Sequence, residues 1–228
     1  MLTPEELSAL YLSAKVAGFA TAISLPFAIL LAWILARHEF RLKYVVEALL
    51  HLPMVLPPVV LGYLLLIVFG GNGWIGQWLQ QWGIQLAFNW KGAVLAAMIV
   101  AFPLMVQPIR LSFQMINPQL EQVANSLGVQ PYKVFCSISL PLALPGILIG
   151  SILCFSRSLG EFGATITFVG NIPDETRTIP IAIYSLLQQP DGEQMALRLV
   201  LLSLGLAFAA LLANYWIMQK YQQKIQER

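Results

Sequence analysis

The sequence predicts an all-α integral membrane protein with five transmembrane helices, built as one membrane domain over residues 1–228. Three observations predict this fold class. Hydrophobic residues make up 58% of the chain and charged residues only 11%, whereas about 25% of the residues of a soluble domain are charged. Five apolar runs are each long enough to cross a bilayer, which takes roughly 20 residues. Proline and glycine interrupt several of these runs.

The five predicted spans differ in regularity. In chain order they are Val16–Ala36, Ala48–Phe69, Ala93–Ile109, Ile138–Phe155 and Leu199–Met218. The second contains Pro53, Pro57 and Pro58, which predict a broken helix or a segment in a protein-lined groove. His51 in the same span is interpreted as a hydrogen-bonded interfacial residue rather than a proton relay. Neighbouring helices must satisfy the backbone at such breaks, which is typical of transporters.

The distribution of basic residues predicts the orientation of the spans. Three segments on one side carry Arg37, Arg41, Lys43, Arg110, Lys133, Lys220, Lys224 and Arg228. These are eight of the thirteen Lys and Arg residues, and cytoplasmic segments carry an excess of such residues. With five spans, the N-terminus is then outside and the C-terminus is cytoplasmic.

Three segments on the predicted outer side have local patterns of their own. Residues 3–6 read Thr-Pro-Glu-Glu, a capping box that predicts a short helix just outside the membrane. Connection 70–92 is rich in Trp, as expected of an interfacial belt. Connection 160–196 is expected to hold a half-buried helix at Ile179–Leu187, with an extra membrane segment as the alternative.

A polar, capped segment at 117–137 lies between the third and fourth spans. Asn117 is a favourable N-cap and Pro118 suits the first helical position. Gly128 stands where a left-handed C-terminal cap is expected, and Pro131 can open a second short helix. The first helix carries one apolar stripe, made of Leu120, Val123, Ala124 and Leu127. A helix–turn–helix of this kind needs a partner outside the bilayer to cover that stripe.

The spacing of this segment resembles a loop of the permeases of ABC importers. In that family, Glu-Ala-Ala is followed by three residues, Gly, nine residues and Ile-x-Leu-Pro. Here Ala124, Gly128 and residues 138–141 keep the spacing, while Gln122 and Val123 replace the first two residues. The resemblance implies a cytoplasmic coupling helix that docks on an ATPase subunit through Leu120, Glu121, Gln122, Val123, Ala124, Leu127 and Gly128. An ordinary pair of interfacial helices is the alternative.

Three further segments look like the molybdate-type permeases of this family, so the resemblance covers most of the chain. They are residues 51–63, 157–168 and 175–180. Sulfate permeases share much of 158–163, whereas 175–180 favours molybdate. The resemblance implies a type I importer fold and a homodimer in a bacterial inner membrane, with a periplasmic N-terminus. It also implies two ATP-binding cassette subunits that bind ATP and Mg, a periplasmic oxyanion-binding protein, and no cofactor in this chain.

Polar residues near the outer half of the fourth span are candidates for an anion path at the dimer interface. They are Ser151, Ser156, Arg157, Ser158, Glu161, Thr165 and Thr167. Hydroxyl groups can pass a dianion by successive hydrogen bonds without trapping it, with Arg157 at the mouth. Two alternatives stay open. The hydroxyls can bond back to their own helices, and Arg157 and Glu161 can form a structural pair at the membrane boundary.

The expected function is transport rather than catalysis. The chain is expected to be the permease subunit of an ATP-driven importer of molybdate, with sulfate or tungstate as alternatives. An ion-coupled transporter without an ATPase would need ionisable residues in its spans, and only His51 is found there up to Phe155. The sequence has no Walker motif, no clustered Cys and His metal motif and no catalytic set. The net charge of +2 does not predict a nucleic-acid partner.

Overall fold

The computed structural model describes residues 3–226, without the side chains of 210, 213, 214, 217, 218 and 220–226 in the last helix. All regular structure in this range is helical. The helices are α1 Pro4–Arg37, α2 Lys43–Val55, α3 Pro58–Phe69, α4 Trp74–Gln80, α5 Trp90–Met115, α6 Pro118–Ser126, α7 Pro131–Val134, α8 Leu140–Leu142, α9 Leu144–Leu159, α10 Gly163–Val169, α11 Ile179–Leu187 and α12 Glu193–Gln226. A π-helical turn, Phe135–Ser139, joins α7 to α8. Arg228 of the predicted cytoplasmic tail lies outside the described residues, as do the side chains of Lys220 and Lys224.

The N-terminal capping box is confirmed, but it opens one long helix. The Thr3 hydroxyl accepts from the backbone N–H of Glu6 at 3.2 Å, and the Glu6 carboxylate accepts from the N–H of Thr3 at 2.8 Å. The sequence predicts a separate short helix before the first span, and this is wrong, because no helix-breaking residue separates them. α1 has 34 residues, about 50 Å at 1.5 Å per residue. It is therefore longer than the hydrocarbon core, which is about 30 Å thick.

The predicted break in the second span is confirmed as a sharp turn between two helices. The axes of α2 and α3 differ by 112°. Leu56 and Pro57 between them have extended backbone, with ψ angles of 140° and 132°. A residue before proline is driven out of the helical region, and Pro58 opens α3 without needing a hydrogen-bonded N–H.

The length and composition of the described helices do not confirm the predicted number of spans. Among the described residues, α1 and α5 are long and apolar enough to cross a membrane. The number rises to four if each bent pair counts as one span, the second pair joining Pro131–Leu142 to Leu144–Leu159 at 68°. The predicted fifth span lies inside α12. The chain is thus a multi-pass helical protein, and five spans are not confirmed.

Helix α5 is the centre of the fold, with α1 and α9 packed on it. Small residues allow these helices to approach closely, including Ala28, Ala32, Ala97 and Ala101, all fully buried. A Cβ at Gly150 in α9 would lie 2.5 Å from the carbonyl oxygen of Met105 in α5. The α5–α9 crossing therefore requires a glycine at this position.

The half-buried helix predicted in the long outer connection is confirmed as α11. Ile179 and Ile181 are buried, whereas Leu187 is 60% exposed. The Ser13 hydroxyl in α1 accepts from the backbone N–H of Ile179 at 2.7 Å. This hydrogen bond and the packing of α11 on α1 and α12 fix the helix to the end of the bundle where α1 begins.

Candidate coupling surface and anion path

The segment between α5 and α8 forms two short helices around a tight turn, as the sequence predicts. The Asn117 side chain accepts from the backbone N–H of Gln119 at 3.0 Å, and α6 begins at Pro118. Gly128 has φ +80°, in the left-handed region that a Cβ disfavours. α7 begins at Pro131. The predicted caps and the left-handed glycine are therefore confirmed.

Helix α6 leaves three of its four stripe residues uncovered. Leu120 is 49%, Val123 59% and Leu127 78% exposed, and we call these three the α6 surface. Gln122 is exposed as well. Ala124 was expected to share the stripe but is only 8% exposed, because α6 packs against α7 and the π-helical turn. A large substitution at Ala124 would therefore disturb the subunit itself, and Val123 is the better probe of docking.

The Glu121 carboxylate holds α6 against the end of α1. Its Oε1 accepts from Arg37 Nη2 at 3.0 Å and from Ser139 Oγ at 2.7 Å. Arg37 Nη2 also donates to the carbonyl oxygen of Ile116 at 3.2 Å. The side chains of Arg37 and Glu121 are only 12% and 19% exposed. We call Arg37, Glu121 and Ser139 the Glu121 cluster. The sequence assigned Glu121 to contact with an ATPase, whereas this carboxylate is engaged within the subunit.

The hydroxyl groups predicted to line a path are engaged or buried within one subunit. Ser151 donates to the carbonyl oxygen of Ile147 at 2.7 Å, and Thr167 donates to that of Gly163 at 2.8 Å. Ser158 and Thr165 are 5% and 1% exposed. For Ser151 and Thr167, the structure matches the alternative in which hydroxyls bond back to their own helices.

Arg157 and Glu161 form an ion pair at the end of α9. Arg157 Nη2 lies 2.8 Å from Glu161 Oε2, and the side chains are 33% and 2% exposed. Glu161 Oε1 accepts from the backbone N–H of Ala164 at 2.9 Å. α10 begins at Gly163, so the carboxylate also satisfies a free N–H of its first turn. The geometry is that of a structural pair at the start of a helix.

The last predicted path residue, Ser156, lies in a different place. Its hydroxyl oxygen is buried and has no hydrogen-bond partner among the described residues. It lines a cavity of about 400 Å³ whose other walls include Ile183 of α11 and Leu204 of α12. A path through these seven residues at a dimer interface stays a prediction.

A polar groove that the sequence did not predict lies between α2 and α5. It has a volume of about 530 Å³, and its polar lining residues are His51, Gln107, Arg110 and Gln114. The amide nitrogen of Gln107 lies 3.2 Å from Nε2 of His51, so this histidine is hydrogen-bonded, as interpreted from the sequence. Arg110 Nη2 lies 2.8 Å from Glu47 Oε1. We call this opening the α2–α5 groove.

The apolar helices and their proline- and glycine-broken pairs are those of a multi-pass membrane transport protein. Residues 24–224 match the family described as "Binding-protein-dependent transport system inner membrane component", and the chain belongs to this family.

Relatives within this family are similar over nearly the full chain. The chain is 54% identical to the molybdenum transport system permease protein ModB of Escherichia coli K12 over 95% of both chains. It is 52% identical to ModB of Haemophilus influenzae over 96% of both. A probable sulfate transport system permease protein of Nephroselmis olivacea is 35% identical over 94% of this chain and 75% of that protein.

Solved structures with the same fold are ABC importers. The crystal structure of a bacterial ABC transporter involved in alginate import has a chain that matches with a TM-score of 0.77 at 16% identity, over 96% of this chain and 80% of that one. The inward-facing MetNI methionine ABC transporter matches with a TM-score of 0.69 at 14% identity, over 95% and 94%. At such low identity these likenesses establish the fold, which is that of type I importer permeases.

Proposed function

We propose that the chain is the permease subunit of an ATP-driven importer that moves molybdate from the periplasm to the cytoplasm. The observation that carries the substrate is the similarity, over nearly the full chain, to relatives named for molybdenum transport. The exposed α6 surface supports the ATPase partner, because three large apolar side chains on a short polar helix need a covering protein.

In this proposal the chain works as a homodimer with two ATP-binding cassette subunits and a periplasmic oxyanion-binding protein. The partner ATPase binds ATP and Mg and performs the hydrolysis, so this chain is not an enzyme. ATP binding draws the two α6 surfaces together, and the Glu121 cluster passes the movement from α6 to α1. The central helices then switch the cavity between inward-facing and outward-facing states.

The proposed orientation places the N-terminus in the periplasm and α6 in the cytoplasm of a bacterial cell with an inner membrane. Thiol labelling tests it in a Cys136→Ser background, since Cys136 is exposed. Thr3→Cys should react with an impermeant reagent in intact cells, and Asn125→Cys on α6 only after permeabilisation. Reaction of Asn125→Cys in intact cells would contradict the orientation.

Sulfate is the second candidate substrate, because one relative is named as a probable sulfate transport permease. Uptake separates the two anions, because a cell that lacks its own molybdate and sulfate permeases shows only what this importer carries. Such cells, expressing this chain with its ATPase and binding protein, should accumulate radioactive molybdate in the presence of excess sulfate. Accumulation of sulfate with no molybdate uptake would replace the proposed substrate.

A further inference from the structure

The α2–α5 groove is an opening lined by polar side chains of two packed helices. We propose that it forms the inner half of the anion path, where a tetrahedral oxyanion accepts hydrogen bonds from Arg110, Gln107 and Gln114, and His51 orients the Gln107 amide. This inference rests on the proposed function and adds to it the residues that contact the anion.

The polar residues of the groove come from one face of α5 and the adjoining face of α2. Gln107, Leu111 and Gln114 are exposed and stand at helical i, i+4 and i+7 spacing. The amide of Gln107 reaches His51 with one N–H, which leaves its second N–H free to donate. Polar side chains from two helices therefore converge on a space of about 530 Å³, ample for a small oxyanion.

The position of Gln107 along α5 argues against contact with lipid tails. Gln107 lies 17 residues after Trp90, the first residue of α5, so it is about 25 Å along the helix axis. That distance is within a hydrocarbon core of about 30 Å. Polar side chains at such depth face a bundle interior or a water-filled cavity rather than lipid. The exposed amide of Gln107 thus indicates water or a second subunit beside α5.

The ion-paired guanidinium of Arg110 suits the passage of an anion rather than its tight binding. Arg110 is paired with Glu47 at 2.8 Å, and their side chains are 24% and 25% exposed. Arg110 Nε is buried and has no hydrogen-bond partner among the described residues. A lone buried guanidinium would hold a dianion tightly, since opposite charges attract strongly at low dielectric. The paired guanidinium attracts the anion more weakly, so the anion can leave.

Thiol labelling tests whether the groove is part of the path. In a Cys136→Ser and Cys154→Ala background, Gln107→Cys and Gln114→Cys should react with a water-soluble, negatively charged thiosulfonate, and reaction should stop molybdate uptake. Leu30→Cys is the matched control, because Leu30 is 54% exposed on α1 at a similar distance from the inner helix end. Groove cysteines that react no faster than Leu30→Cys, or whose full reaction leaves uptake unchanged, would overturn the proposal.

Charge removal tests the role of Arg110 separately. The double variant Glu47→Gln/Arg110→Gln removes both charges, so that no carboxylate is left unpaired. It should take up molybdate at low concentration about ten- to a hundredfold more slowly, because one charge-assisted hydrogen bond to the anion is lost. The control Arg41→Gln removes an exposed cation on the same side and should not change uptake. Normal uptake by the double variant would remove Arg110 from the path.

The two proposals fail in different ways. If the unmodified importer carries another oxyanion and no molybdate, the proposed substrate is wrong, while reactive groove cysteines that block uptake of that other anion still support the groove. If molybdate uptake is normal and the groove cysteines are unreactive, the proposed function stands and the groove is wrong.

Discussion

Replacing Glu121 with Gln is expected to loosen α6 from α1 without changing the α6 surface. The carboxylate accepts one hydrogen bond from the Arg37 guanidinium and one from the Ser139 hydroxyl. Gln keeps the size and one acceptor oxygen but loses the charge. A hydrogen bond to a charged group contributes about 1.5–3 kcal/mol and a neutral one about 0.5–1.5 kcal/mol. The substitution should therefore destabilise the packing of α6 against α1 by about 1–2 kcal/mol.

This loss of free energy is large enough to change the coupling of ATP hydrolysis to transport measurably. A change of one or two kcal/mol alters the ratio of packed to detached α6 by about 5- to 30-fold. The variant α6 would therefore detach from α1 far more often. The pair is largely shielded, with side chains 12% and 19% exposed, so solvent screening does not cancel the effect as it does for exposed pairs. The proposed consequence is ATP hydrolysis that no longer moves α1.

The assay is the number of ATP molecules hydrolysed per molybdate imported, measured in proteoliposomes that hold the complete importer. Glu121→Gln should raise this number several-fold. Glu39→Gln is the matched control, because Glu39 pairs with Lys43 at 2.6 Å but its side chain is 86% exposed; it should behave as the unmodified chain. A Glu121→Gln importer with the same ATP cost as the Glu39→Gln importer would refute the proposed role of the Glu121 cluster.

Three further predictions concern docking and packing. Val123→Glu should abolish copurification of the ATPase subunit, because it puts a charge in the α6 surface, whereas Asn125→Glu on the same helix should retain it. Gly128→Ala should lower the stability of the helix–turn–helix by about 1–2 kcal/mol through its positive φ, seen as faster amide hydrogen exchange in α6; unchanged exchange would contradict the left-handed cap. Gly150→Ala should destabilise the bundle by about 1–3 kcal/mol, because the added Cβ would lie 2.5 Å from a backbone oxygen of α5. Gly18→Ala, which meets nothing within 4 Å, should not lower the thermal unfolding temperature.

Local signals in the sequence predicted the parts of the fold that depend on neighbouring residues. The cap at Asn117, the left-handed Gly128 and the break at Pro57 each follow from the chemistry of one or two residues, and the structure has all three. The bounds of α11 follow from an apolar run that begins after Thr178 and ends before polar residues.

Contacts between distant segments could not be predicted in this way. Arg37 and Glu121 are 84 residues apart, and nothing in either local pattern pairs them. The burial of Ala124 comes from the packing of α6 on its neighbours, which helical spacing alone could not predict. A signal for the groove did exist, since Gln107, Arg110 and Gln114 stand at helical spacing on a mostly apolar helix.

The source of energy for transport tests the central claim most directly. Proteoliposomes containing this chain, its ATPase subunit and its binding protein should accumulate radioactive molybdate only when ATP is supplied on the ATPase side. Accumulation should stop when the ATPase subunit carries an inactivating substitution, and an ion gradient alone should drive none. Uptake driven by an ion gradient in vesicles that contain this chain without the ATPase would contradict the account.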